Sequence, residues 1–403
     1  MLHLPPPCPA PLETRVVIEQ PATVEEYCCP GESHPISRAL HLGRLARFYP
    51  PCRRCRHRSD TGSLSARQLQ RFRQSERCAP PCPAVGSEAT TGVIWNQVTP
   101  ALVHSLATAF GLWLRERCPA DAPPSVLVAA DGRAIATEFV AAVGEGLRWT
   151  GCHCVDTCSA TAPTTAAAVS QLNCDGGILV GNPTGRTATA GIRLWGSGGV
   201  PLSSPGSLDA VRDLQANRPS RPARRYGSAK RLSVAGMYLE SLREHYHALR
   251  PLRFAIRCTT PAMLWLVDDL IGRTACQSIV CTGHALGRTV IDAGAHFGVN
   301  LEEDGERCRV VDEQRRDVEP LRIAALVAHE LAADLPCRIL DTASREETYQ
   351  HLRVSPMAMA ADHEGRFWYR RGENHWAPDG LITLSLLLRH LSRSDRPLSE
   401  LLV

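Results

Sequence analysis

From Val93 onward the chain alternates short apolar runs with longer stretches whose apolar residues recur every three or four positions. The first of these stretches opens at Thr99-Pro100, a helix cap followed by a first-turn proline. Val103, Leu106, Phe110, Trp113 and Leu114 then fall on one helical face. SVLVAADGR, Ser125 to Arg133, reads as a short apolar strand ending in a polar turn. A helix is predicted from Ala134 to Trp149, a strand near Cys154, a helix after Pro163 and a strand over Gly177 to Val180. The rhythm resumes at Val234, with a helix to about Leu249 and a strand over Leu252 to Arg257. A helix from Pro261 to Arg273 and a strand over Gln277 to Cys281 follow. Helices over Leu321 to Ala333 and Leu381 to Leu391 complete the pattern. Strand alternating with helix predicts mainly parallel sheets covered on both faces.

Two stretches break the rhythm. Residues 203–232 read as a linker with at most one helix, basic from Arg218 to Arg231. Residues 1–86 are rich in proline, cysteine and arginine, with helices expected only near Pro35 to Phe48 and Ser65 to Arg77, where Ser65 can cap. The expected fold class is therefore α/β, as three successive mixed-sheet domains behind a small Cys-rich metal-binding segment. The expected divisions are a Cys/Arg-rich segment (1–86), a first domain (87–205), a linker (206–232), a second domain (233–316) and a third (317–403).

Composition narrows the class. At 403 residues the chain exceeds one ordinary core, and its 44% apolar content suits a water-soluble protein. No apolar run approaches the roughly 18–20 residues of a membrane span. The opening MLHLPPPCPAP has no basic region and its prolines forbid a helix, so it does not read as a signal peptide. A cytoplasmic location with no membrane partner is expected. The net charge is +4, and Lys230 is the sole lysine. That arginine excess reads as codon bias rather than selection for phosphate contacts. Arg53, Arg54, Arg56 and Arg58 lie near Tyr27, Phe48, Tyr49 and Phe72 without a recognised basic-aromatic pattern, so nucleic acid is not the expected partner.

The 17 cysteines change the picture more. Cys8, Cys28, Cys29, Cys52, Cys55, Cys78 and Cys82 crowd the N-terminal segment, while the rest are scattered singly as small hydrophobes. Without a secretion signal, the crowded set reads as metal ligands rather than disulfides. Cys52-Arg53-Arg54-Cys55 is a C-x-x-C knuckle and Cys28-Cys29 lies upstream at a spacing suited to a second pair. Four thiolate or imidazole ligands satisfy zinc, with His34, His57, Cys78 and Cys82 as alternatives. An iron–sulfur cluster is the other metal reading, and free thiols in an arginine-rich leader the reading without metal. Either way the segment offers a surface for a protein partner.

Four stretches in order carry a family resemblance. VAADGR, Val128 to Arg133, is similar to the V-G-x-D-x-R turn of the α-D-phosphohexomutases, the phosphoglucomutases and phosphomannomutases. DGGILVGNPTGRTATAGIRLWG, Asp175 to Gly196, lies without a gap on that family's D-G-G-I-M-I-T-A-S-H-N-P-x-x-x-N-G-I-K pattern. HFGVNLEEDGERCRVVDE, His296 to Glu313, resembles the metal loop centred on D-G-D-G-D-R, and AADHEGRFWY, Ala360 to Tyr369, resembles the sugar-recognition loop G-E-x-S-G-H. The resemblance covers roughly residues 90–400 and implies three domains of phosphohexomutase type.

It also implies a chemistry. In that family a phosphoserine gives a phosphoryl group to a hexose phosphate and takes another back, beside a magnesium ion held by three carboxylates. Here the serine position falls on Pro183, within Gly181, Asn182, Pro183, Thr184 and Gly185. Proline has no hydroxyl, and Thr184 is the neighbouring substitute. The metal positions fall on Glu302, Asp304 and Glu306, with Glu303 in place of a glycine. Each glutamate adds a methylene, and magnesium tolerates little distortion of its shell. A solvated acidic turn is the alternative. The resemblance places Asp131, Arg133 and Arg307 near phosphate, and Asp362 and Arg366 at the sugar loop's glutamate and histidine. A surface hairpin explains that last pair equally well. The family's G-T-S-G-x-R-G is reduced to SEATTG, Ser87 to Gly92, and with the sequence ending at LSELLV the family's fourth, phosphate-gripping domain is expected to be missing. Three readings stand. One is a degenerate, mutase-inactive relative that binds hexose phosphate or regulates. Another is an active phosphotransferase using Thr184 or a different acceptor with magnesium. The third is a non-enzymatic zinc-bearing scaffold.

Overall fold

A computed structural model describes residues 27–28, 35–47, 49, 52, 55–77, 84–119, 122–182, 189–217, 221–258, 260–281, 285–302, 305–331, 337–340, 349, 352, 357–371 and 375–402. The chain divides into two compact units, Met1–Arg77 and Cys78–Val403.

In the first unit, Ser37 caps α1 (Arg38–Ala46) by accepting from the Leu40 amide. Ser65 Oγ accepts from the Gln68 amide at 3.3 Å while Gln68 Oε1 accepts from the Ser65 amide at 2.9 Å. That reciprocal pair starts α2 (Ala66–Arg77) where the sequence places it. Leu45, Cys52 and Phe72 share one small core, and Tyr27 and Cys55 another.

The second unit contains three sheets. The first joins β1 (Ala84–Val85), β2 (Ala89–Val93), β3 (Ser125–Ala130), β4 (His153–Ser159), β5 (Gly176–Gly181), β6 (Thr189–Gly196) and β7 (Ala229–Arg231), in the order β1-β2-β6-β5-β3-β4-β7. Strand β3 runs parallel to β4 and β5, whereas β6 is antiparallel to β5 and β2. Val126 and Val128 pack under α3 (Pro100–Arg115) and α4 (Ala136–Trp149), while Leu127 and Ala129 face α5 (Ala162–Gln171). This alternation buries both faces of β3, so it reads in sequence as one continuous apolar run. Thr99 caps α3 through the Leu102 amide at 3.2 Å, and Val103, Leu106, Phe110, Trp113 and Leu114 are all buried.

The stretch 203–232 departs from its reading as a linker. Its helix α6 (Ser207–Ala216) buries Leu208 and Val211 in the core beneath α3, and β7 extends the first sheet parallel to β4. Ala229, Lys230 and Arg231 are exposed, so β7 is held by backbone pairing and carries no apolar alternation.

The second sheet, β12-β11-β10-β8-β9, comprises β8 (Arg253–Cys258), β9 (Gln277–Val280), β10 (Phe297–Glu302), β11 (Arg307–Asp312) and β12 (Asp317–Val318). Helices α7 (Ala235–Arg243), α8 (Pro261–Ile271) and α9 (Leu286–Asp292) accompany it; the last has no counterpart in the sequence reading. The third sheet runs β13 (Cys337–Ile339), β14 (Met359–Ala361), β15 (Phe367–Arg371) and β16 (His375–Pro378), beside α10 (Pro320–Leu331) and α11 (Gly380–Ser392). Phe254 and Ile256 of the second sheet share one core with Met359 and Phe367 of the third and Leu384 and Leu387 of α11. A division at residue 316 therefore cuts a common core, and β12 belongs to the second sheet. No helix among the described residues is long and apolar enough to cross a membrane.

Candidate functional site

Strands β5 and β6 pair from Gly176↔Gly196 to Gly181↔Gly191, so residues 182–188 join them beyond the carboxyl end of β5. In sheets of this kind ligands collect at that end. Pro183 and Thr184 themselves lie outside the described residues.

Both flanks of this connection are gripped by one arginine. Arg133 Nη2 donates to the Gly181 carbonyl at 3.1 Å and Nη1 to the Thr189 carbonyl at 2.9 Å. The guanidinium is aimed by Asp131, fully buried, whose Oδ2 accepts from Arg133 Nε at 2.6 Å and whose Oδ1 accepts from the Arg133 amide at 3.1 Å. Between them Gly132 turns at φ +86°, and a Cβ there would stand 2.8 Å from Ser159 Oγ. Arg133, aimed by Asp131, thus holds the loop's backbone on both flanks.

Glu306, Asp362, Arg366 and Arg307 converge. Glu306 ends the loop between β10 and β11, where Gly305 turns at φ +105° and a Cβ would fall 1.9 Å from Met263 Cε. The Glu306 side chain is 3% exposed. Its Oε1 accepts from Arg193 Nη2 at 2.8 Å, and its Oε2 faces Arg366 Nε at 3.5 Å. Arg193 Nη2 also donates to Glu88 Oε2 at 2.9 Å. Burial pushes the Glu306 carboxyl above its ordinary value, and the Arg193 guanidinium pulls it back. Asp362 Oδ1 accepts from the Arg366 amide at 2.9 Å, closing the sugar-loop turn, while its Oδ2 lies 3.7 Å from Arg366 Nη1. The same turn is stitched to the loop between β10 and β11 by a backbone bridge between Arg307 and Arg366 and by an ion pair of Arg307 with Glu364.

Glu302 stands apart. Its Oε1 accepts from Asn300 Nδ2, its Oε2 lies 3.8 Å from Arg309 Nε, and it lines a cavity of about 810 Å³ with Arg257 and Arg315. Asp304 lies outside the described residues. Magnesium needs a compact octahedral shell of oxygens. With Glu306 held between two guanidinium groups and Glu302 facing a different cavity, the described residues do not fit that ion. Among them no group of three His, Cys, Asp or Glu side chains is placed to hold a metal.

In the first unit the Cys52 and Cys55 side chains are buried, and the Cys55 amide donates to the Cys52 carbonyl at 3.3 Å. Cys28 is exposed. The His57 ring meets Tyr27 edge-on at 5.1 Å, and Tyr27 stacks on the buried His41 at 4.6 Å. Cys29, His34, Cys78 and Cys82 lie outside the described residues.

Sequence reasoning missed Glu88, Arg193 and His41. Arg193 carried a signal: it is the one charge in the apolar strand TAGIRLWG, at the final lysine of the quoted pattern. Glu88 and His41 carried none.

Residues 84–217 match the family model of the phosphoglucomutase/phosphomannomutase alpha/beta/alpha domain I. The chain is 24% identical over 349 residues to a phosphoglucosamine mutase of Azoarcus, covering 75% of this chain and 77% of that protein. A solved structure described as a phosphoglucomutase/phosphomannomutase family protein from Burkholderia thailandensis superposes with a TM-score of 0.67 at 20% identity, over 78% of each chain. The match to domain I is confined to residues 84–217, and over the wider chain the likeness to phosphohexomutases is one of distant sequence and of fold. Another phosphohexomutase relative, the phosphoglucosamine mutase of Erythrobacter litoralis, is 23% identical over 275 residues, which are 62% of this chain. The match spans 58% of that relative's length, little over half of it. The mixed-sheet α/β architecture is that of the phosphohexomutase neighbours.

Proposed function

We propose that the protein binds hexose phosphate as a phosphohexomutase relative that no longer shuttles a phosphoryl group. One observation carries the reading. The apolar strand that precedes the family's serine and the observed strand β5 end together at Gly181, which supports reading Pro183 as the serine position. A pyrrolidine ring offers no oxygen to phosphorylate. The engagement of Glu306 by Arg193 and Arg366 points the same way, because phosphoryl transfer depends on charge placed at the transferred group. Phosphate recognition falls to Arg307, whose side chain keeps 17% of its surface exposed beside the sugar-loop turn.

Calorimetry with glucose 1-phosphate and mannose 1-phosphate tests the binding, which should give saturable heat and a raised melting temperature. The same protein given magnesium and a hexose bisphosphate should interconvert neither sugar phosphate. Turnover overturns the reading, as does intact mass showing one added phosphoryl group that Thr184→Val abolishes. That result identifies an active, magnesium-assisted phosphotransferase. Silence in calorimetry as well as in turnover favours a scaffold.

We also propose a zinc ion on the Cys52–Cys55 knuckle, completed from the Cys28-Cys29 pair or from His34, His57, Cys78 or Cys82. Two buried cysteines three positions apart, linked by the Cys55 amide to Cys52 carbonyl hydrogen bond, support it.

A further inference from the structure

The strongest unexplained feature of the second unit is a line of buried charges that joins all three sheets. Glu88 precedes β2 and Arg193 lies in β6 of the first sheet. Glu306 precedes β11 of the second, and Arg366 precedes β15 of the third. Arg193 and Glu306 are each 3% exposed, and Glu88 and Arg366 are each 5% exposed. Charges so deep are retained in a fold only when paired.

The pairing has a particular form. A single nitrogen, Arg193 Nη2, bridges a carboxylate of the first sheet to one of the second at 2.9 and 2.8 Å. The other oxygen of Glu306 turns to the third sheet's Arg366. Two guanidinium groups together carry the charge of one divalent cation, and they face the carboxylates Glu88, Glu306 and Asp362. We infer that Arg193, with Arg366, occupies the role of a divalent cation where the three sheets meet and assembles that junction without metal. An ion approaching Glu306 has to displace a buried guanidinium, leaving that charge stranded. The inference concerns the same residues as the hexose phosphate reading but rests on the ion pairs alone.

The test needs no sugar phosphate, so it fails or succeeds separately from that reading. Magnesium titrated into the full chain should give no heat that Glu306→Gln removes, and millimolar magnesium should leave the melting temperature where chelator leaves it. A site filled to 100 times its dissociation constant would raise that temperature by about 5 °C. Arg193→Met removes the cation and leaves Glu88 and Glu306 face to face. The variant should melt about 5–10 °C lower and recover part of that loss in magnesium. Saturable heat in the wild type that Glu306→Gln abolishes overturns the inference. A folded Arg193→Met protein that stays indifferent to magnesium does so too. If Arg193→Met does not fold, the wild-type and Glu306→Gln titrations decide alone.

Discussion

Arg133→Met probes how the loop that should carry a nucleophile is held. The wild-type guanidinium satisfies the fully buried Asp131 at 2.6 Å and the carbonyls of Gly181 and Thr189 at 3.1 and 2.9 Å. Its own side chain is 15% exposed, so solvent replaces little of what the methionine removes. Stripping one partner from a buried ion pair costs about 3–5 kcal/mol. A carbonyl left without its donor adds about 1–3 kcal/mol where water cannot reach it. Against a total stability of about 5–15 kcal/mol this is a large loss. Urea unfolding of the second unit reads it as a lower midpoint at unchanged slope. Hydrogen exchange in peptides spanning residues 182–189 should quicken, because the clamp acts on both flanks at once. Arg133→Lys separates the two effects. A lysine keeps the charge beside Asp131 but lacks the planar fork that reaches both carbonyls. It should recover most of the stability while the loop still exchanges fast. A loss below about 1 kcal/mol in Arg133→Met, with loop exchange unchanged, refutes the clamp.

Three further outcomes follow from the same structure. Pro183→Ser should not restore mutase turnover by itself, since Glu306 remains held by Arg193 and Arg366; a coupled assay with hexose bisphosphate and magnesium reads this. Elemental analysis should find about one zinc per chain, lost in Cys52→Ser with Cys55→Ser, as four thiolate or imidazole ligands require. Iodoacetamide at mildly alkaline pH should label Cys158, which is exposed, and spare Cys154, whose thiol burial pushes up to about 12. The thiolate is the reactive form, so peptide mass spectra showing equal labelling refute that assignment.

Most helices of the second unit and the central strands of its first sheet were legible because their apolar spacing is local. The predicted face of α3 is buried residue for residue, and its Thr99-Pro100 start is where the cap forms. Strand β7 was not legible, since three exposed residues held by backbone pairing leave no apolar trace. Nor was the shared core of the second and third sheets, because packing between sheets is not written in either one's periodicity.

The candidate site divides the same way. The residue at each position of the resemblance is read from sequence alone, so a proline, Pro183, where the resemblance puts the serine was readable at once. What the retained residues do was not. Asp131 and Arg133 were expected near phosphate; that they also grip the backbone on both flanks of the loop was not legible. Glu306 was expected beside magnesium, and it meets Arg193, 113 positions away, whose other partner Glu88 is 105 positions away. Sequence determines which charges a chain carries and which face of a helix or strand they lie on. Which opposite charge neutralises a buried one depends on what folding brings within about 3 Å, and no local pattern encodes that distance.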